Sequence, residues 1–217
     1  SGVPVLLITS DIHARSRGTG ALTEIDQLAL FAAVTKWSTL VESADDIPGA
    51  VETALREATS GRPAPVAIVI PENVLEEPTA VAALPGSAVV PSARPEAAPR
   101  QVATAAAVLA AAERPVIVAG GGVHLSGAFD ALRELAERLA APVATTIHGR
   151  GAVATSDPWF LGVVGNNSGQ PGANAAVADA DAVLLVGTRG NATDTNSWTA
   201  PSPTGGARIV QIDIDAQ

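Results

Sequence analysis

Three consecutive glycines, Gly120-Gly121-Gly122, follow the apolar run Pro115-Val116-Ile117-Val118-Ala119 and precede a helical pattern. Glycines where a strand passes into a helix let backbone approach a phosphate, and the positive end of the helix dipole favours the anion. The dinucleotide fingerprint is incomplete. Gly120-x-Gly122 is present, but Leu125 stands at the third glycine position, and the next strand pattern ends in Thr145-Thr146 with no acidic residue for a ribose. The triplet therefore has two readings: contact with a nucleotide, or a tight turn packed against a neighbouring segment. Gly187-Thr188-Arg189-Gly190-Asn191 also follows an apolar run. There Arg189 could fork onto a phosphate, stack on a flat ring, or be a solvated surface residue. Asp213 and Asp215 lie two apart in the last strand pattern, a spacing that points both carboxylates the same way. They could accept from ribose hydroxyls or serve as edge charges, and no metal-ligand spacing surrounds them.

Other chemistries are poorly supplied. His13, His124 and His148 are far apart, and none has a serine or carboxylate at a recognisable interval. Each reads as a loop or packing histidine. Ser10 and Ser168 show no nucleophile-elbow pattern. The absence of cysteine excludes disulfides, thiolate zinc sites, iron–sulfur clusters and cysteine nucleophiles, and it fits a cytoplasmic setting. Net charge is −9, the one lysine is Lys36, and the arginines form no basic stripe. Nucleic acid is therefore not an expected partner. The longest apolar runs, such as Val116 to Ala119 and Val183 to Val186, are far too short to span a bilayer.

The elements that must position these residues alternate along the 217-residue chain. Val5 to Thr9, Trp37 to Val41 and Val66 to Ile70 read as strands. Helical spacing appears over Glu24 to Val34, through Ile25, Leu28, Ala29, Ala32 and Ala33. A second helix follows an N-cap region at Ser43 to Asp46, with Pro48 just inside its first turn. Prolines 71, 78, 85, 91, 95 and 99 then punctuate a stretch with little periodicity, which reads as an interdomain linker. Beyond it come a helix over Val102 to Ala112, the strand ending at Ala119, and a helix that Ser126 would cap. A strand over Pro142 to Thr146 and a Gly-rich loop from Gly149 to Gly172 follow. Strands over Ala182 to Val186 and Arg208 to Ile214 complete the pattern. Buried strands alternating with helices predict an α/β fold, a parallel sheet with helices on both faces. The start at Ser1-Gly2-Val3-Pro4, directly before an apolar run, suggests an interior piece of a larger enzyme.

An ordered set of strings carries a resemblance. Val5-Leu6-Leu7-Ile8-Thr9, Glu24-x-Asp26, Thr35-Lys36-Trp37, Ser60-Gly61-Arg62-Pro63-x-Pro65-Val66 and Ile70-Pro71-Glu72-Asn73-Val74 resemble the second half of the pyrimidine-binding domain of thiamine-diphosphate enzymes. That group contains acetolactate synthase, oxalyl-CoA decarboxylase and benzoylformate decarboxylase. The run Arg114 to Gly122 resembles the opening of their central domain. Thr145 to Gly151, Leu161-Gly162, Ala180 to Arg189 and Ile212-Asp213-Ile214-Asp215 continue it. The resemblance covers nearly the whole chain. It implies a partial pyrimidine-binding domain over 1–75, a linker over 76–98 and a Rossmann-like central domain over 99–217.

The resemblance further implies a parent enzyme that makes or breaks a carbon–carbon bond beside a 2-keto acid carbonyl, using thiamine diphosphate and Mg2+. The cofactor's ylide would be the nucleophile and its ring the electron sink. In the family the activating glutamate would precede Ser1 and the Gly-Asp-Gly magnesium motif would follow Gln217, so this segment alone is expected to be inactive. Its expected partners are the rest of the parent chain and further copies of itself, since missing neighbours of the first three strands would leave apolar surface. Flavin-binding members hold FAD in the central domain, and other relatives hold ADP or nothing. By resemblance Gly120, Gly121, Gly122, Thr146, Ile147, Gly187, Arg189 and Asp213 would line that site. The flavin-binding members carry an acidic pair after the position of Arg189, where this chain has Gly190-Asn191-Ala192. A nucleotide-binding module in its own right is the alternative. An NAD-dependent enzyme of related fold, such as a sirtuin-like deacylase, ranks last because its structural zinc needs cysteines.

Overall fold

The computed structural model describes residues 2–82, 95–201 and 204–215, and the chain divides into two compact units, Ser1–Arg94 and Pro95–Gln217. Both are α/β units built on parallel sheets, as the alternating pattern predicts.

In the first unit, strands β1 (Val5–Asp11), β2 (Trp37–Leu40) and β3 (Pro65–Pro71) pair in parallel in the order β1-β3-β2. The central strand β3 is buried from Val66 onward, which suits its β-branched run. Val66, Ile68 and Ile70 pack with Val41, Ala54, Ala58 and Val74, under helix α2 (Ile47–Thr59). The expected start of α2 is observed: the Ser43 side chain accepts from the Asp45 N–H, and Pro48 lies in the first turn. At its far end Lys36 Nζ donates to the carbonyls of Glu57 (2.8 Å) and Ser60 (2.7 Å). The one lysine is thus spent on orphan carbonyls at a helix C-terminus. Helix α1 (Gln27–Ala32) is shorter than the spacing over Glu24 to Val34 predicts. Asp26 caps its N-terminus by accepting from the Ala29 N–H, so the helix begins at Gln27, three residues after Glu24. None of its residues is buried, so the periodic face finds no core here. A short α3 (Glu72–Leu75) follows β3. The expected linker falls largely on residues 83–94, outside the described residues.

The second unit runs α4 (Pro99–Ala110), β4 (Pro115–Ala119), α5 (Gly122–Ser126), α6 (Phe129–Leu139), β5 (Val143–Thr145), β6 (Phe160–Val163), α7 (Pro171–Asp179), β7 (Ala182–Val186) and β8 (Arg208–Ile212). Its parallel sheet has the order β6-β5-β4-β7-β8, the doubly wound arrangement. Alternate residues of β4 serve opposite cores. Ile117 and Ala119 pack with Leu109 of α4 and Leu132 and Ala136 of α6. Val116 and Val118 pack with Val177 of α7 and Ala200. Both faces are therefore covered.

Three expectations are corrected. The Gly-rich stretch from Gly149 to Gly172 contains strand β6, which flanking Gly, Pro and Asn residues disguised. Ser126 does not cap α6. It ends the five-residue α5, its Oγ donating to the Val123 carbonyl, and α6 starts at Phe129 with Ala128 at its N-cap, where no side chain caps the helix. Strand β8 stops at Ile212, and the Asp213 carboxylate turns back to accept from the Asp215 N–H at 3.1 Å. The two aspartates are thus partners in a local turn and do not share a strand face.

Candidate functional site

In a doubly wound sheet the ligand crevice lies at the carboxyl ends of the strands, where the strand order reverses. Here that point falls between β4 and β7. The two loops that leave these strands are in backbone contact. The Gly122 N–H donates to the Gly187 carbonyl at 3.0 Å. A Cβ on Gly122 would lie 2.6 Å from the Gly187 Cα, and one on Gly120 would lie 2.6 Å from the Thr188 Cβ. Gly187 also has φ +59°, which side chains rarely adopt. These glycines let two chain segments touch each other. The tight-turn reading of the triplet has this direct structural basis, and a five-residue α5 supplies little helix dipole for a phosphate.

The remaining residues suggested for a nucleotide stand around the same rim. Thr146 is buried and caps the short 3-10 turn Ile147–Gly149, its Oγ1 accepting from the Gly149 N–H at 3.2 Å. Ile147 is half-buried and Arg189 is exposed at the exit of β7. Asp213 is exposed beyond the end of β8, the edge strand. Gly120, Gly122, Gly187 and Thr146 are thus grouped around the ends of β4, β5 and β7, whereas Asp213 belongs to the sheet's margin. Thr145 is fully buried and its Oγ1 has no hydrogen-bond partner. By strand alternation it shares the face of Val143, which belongs to the α6-side core, so this orphan hydroxyl faces the core.

A polar strap that the sequence reading passed over covers the rim. After β7 the chain makes an excursion, Gly190 to Ala200, before it returns toward β8. The buried Asp194 accepts from the Thr188 hydroxyl at 3.1 Å. The Thr193 carbonyl accepts from the Asn166 N–H at 3.1 Å, and Asn166 Nδ2 donates to Ser197 Oγ at 3.0 Å. Asn166 lies in the loop after β6, three strands away from β7 in the sheet. The strap thus joins the loops that leave β6 and β7, and Ala200, 2% exposed, tucks into the α7-side core. Along it Asn196, Ser197 and Trp198 take φ of +49°, +60° and +60°. For residues with a Cβ this conformation costs roughly 1–2 kcal/mol each. The only advance signal was a cluster of Asn, Thr, Asp and Ser, residues that favour such local turns.

Below the rim, Asn174 of α7 clips the β6 exit: its Oδ1 accepts from the Gly165 N–H at 2.8 Å and its Nδ2 donates to the Gly165 carbonyl at 3.0 Å. At the opposite end of the sheet, Asp181 accepts from the N–H groups of Glu113 (2.8 Å) and Arg114 (2.9 Å). These two backbone bonds, that from Glu113 foremost, hold its carboxyl below the usual aspartate range. The histidines have local roles. His13 Nδ1 accepts from the Arg15 N–H, and the His124 ring bonds the Arg150 carbonyl and meets Phe129 edge-on at 5.5 Å. Ser168 Oγ donates to its neighbour's carbonyl. Among the described residues no three His, Asp or Glu side chains converge on a cation site. Nor is any helix long and apolar enough to cross a membrane.

Residues 102–217 match the model of the thiamine pyrophosphate enzyme central domain. The chain belongs to the thiamine pyrophosphate enzyme family. It is 37% identical over 218 residues to a probable acetolactate synthase large subunit of Methanocaldococcus jannaschii, covering 98% of this chain and 36% of that protein. An acetolactate synthase of Mycobacterium bovis is 37% identical over 215 residues, 98% of this chain and 34% of that protein. The acetolactate synthase isozyme 2 large subunit of Escherichia coli is 35% identical over 218 residues, 98% of this chain and 38% of that protein. The chain thus spans about a third of the length of these relatives and is acetolactate synthase-like along nearly all of its own. The family supplies thiamine diphosphate as cofactor.

Proposed function

We propose that this chain is a segment of a thiamine-diphosphate-dependent 2-keto acid lyase or carboligase resembling acetolactate synthase. The similarity to acetolactate synthase large subunits across 98% of the chain carries this reading. In it, residues 1–75 are the C-terminal half of a pyrimidine-binding domain, 76–98 a linker and 99–217 a central domain whose work is structural. When bound, thiamine diphosphate with Mg2+ would supply the carbon nucleophile and the electron sink that 2-keto acid chemistry needs. This chain's residues shape and support the enzyme around that chemistry, and the segment alone is inactive. The working protein is cytoplasmic and a homo-oligomer in which the remaining parent chain completes the first sheet. Exposed Val5 and Ile8 on edge strand β1 support this last point.

The test is an assay of carbon dioxide release from pyruvate and other 2-keto acids with thiamine diphosphate and Mg2+. The full reading frame containing this segment turns over and the 217-residue chain does not. A full-length protein with no thiamine-dependent turnover on any 2-keto acid would overturn the proposal.

A further inference from the structure

The family makes FAD or ADP a candidate occupant of the central unit, and the carboxyl-end crevice of this chain does not fit one. We infer that the strap Gly190 to Ala200 takes the place a nucleotide would fill, so that residues 95–217 form a central unit that needs no nucleotide. Four observations converge. The glycines that would admit a phosphate are in contact with each other, with the Gly122 N–H, a potential phosphate donor, already bonded to the Gly187 carbonyl. The Thr188 hydroxyl, on the same loop, is bonded to the buried Asp194 of the strap. That hydroxyl is already donated within the chain and is not available to a phosphate. The strap reaches the β6 loop through two hydrogen bonds from Asn166. Its backbone closes on itself: Ser197 N–H donates to the Ala192 carbonyl at 2.7 Å, and those of Thr199 and Ala200 to the Thr195 carbonyl at 3.0 and 2.9 Å. Three side-chain-bearing residues are held in the left-handed region by these bonds, as strained turns persist only where their surroundings over-determine them.

The experiment uses the 217-residue chain. Melting temperature is followed against ADP and FAD, and amide hydrogen exchange is read at Ser197, Thr199 and Ala200. The expected result is no ligand-dependent rise in melting temperature together with slow exchange at these three amides. Thr188→Val and Asn166→Ala, which each remove one tether, should speed that exchange by roughly fivefold, the loss of one hydrogen bond. Two different tethers guard against one variant failing to fold. A dose-dependent rise in melting temperature with either nucleotide overturns the inference. So does exchange at Ser197 and Ala200 as fast as at the exposed Gly206 turn, or exchange unchanged in both variants. None of these results bears on thiamine-dependent turnover by the full reading frame, so this inference and the proposed function can fail separately.

Discussion

The two sheets of this chain are made of the same kind of strand and are covered differently. In the second unit, β4 and β7 have helices on both faces, and the residues of β4 from Val116 to Ala119 all enter one of two cores. In the first unit, β3 is buried while its neighbour β1, with an equally apolar Val5-Leu6-Leu7-Ile8, leaves Val5, Leu7 and Ile8 at 48%, 40% and 55% exposure. Only Leu6 of β1 reaches the core beneath α2. Apolar character makes a strand suitable for burial. The number of neighbours that the fold supplies determines whether burial happens.

The sharpest test of this contrast removes one buried side chain from each central strand. Ile117→Ala and Ile68→Ala should each destabilise the chain by about 2–5 kcal/mol, because both sites are closely packed and cannot collapse freely. Urea unfolding would read this. A much smaller effect at Ile68 would show that the first sheet is loosely packed even at its centre. Next in size is Asn174→Ala, which strands both backbone polar groups of Gly165 and should cost about 1–3 kcal/mol. Full stability in that variant would mean that the clip contributes nothing to the covered sheet.

A smaller effect is expected at Asp181, whose two backbone bonds join the start of β7 to the turn before β4. Its carboxyl is held below the ordinary value, so the unfolded chain takes up the proton first as pH falls. The stabilisation is present above the unfolded-state pKa and is lost as pH falls through the lower folded one. Melting temperature of the parent chain should therefore fall more steeply with acid than that of Asp181→Asn. Parallel curves would remove Asp181 from this role. The smallest effect belongs to the uncovered strand: Ile8→Lys should change stability by no more than about 0.5 kcal/mol. It should also weaken the proposed self-association, which light scattering over a concentration series would detect. A loss as large as that of Ile68→Ala would mean that β1 is covered after all.

Much of the architecture was legible in the residues. Alternating apolar runs and helical spacings identified seven of the eight strands among the described residues and the α/β class. The order of short strings identified the family. The Ser43 turn and Pro48 marked the start of α2 correctly. The exceptions have local physical causes. Strand β6 is four residues long and sits among Gly, Pro and Asn. Ser126 is drawn into the end of the short α5, and Gly127 and Ala128 stand between it and the helix it was expected to cap. Beyond the end of the strand, the Asp213 carboxylate accepts from the Asp215 N–H in a local turn.

The glycine triplet marks the boundary between what the sequence determined and what the tertiary structure decided. Residue type alone determined that the chain passes tightly from β4 into a helix, because only glycine lacks the Cβ that would obstruct the turn. It left open whether the vacant space was meant for a phosphate or for another stretch of chain. In the fold Gly122 meets Gly187, and a strap joins the β7 loop to the β6 loop. Those contacts join segments more than twenty residues apart, and no local pattern of apolar spacing encodes which backbone will arrive to fill a gap.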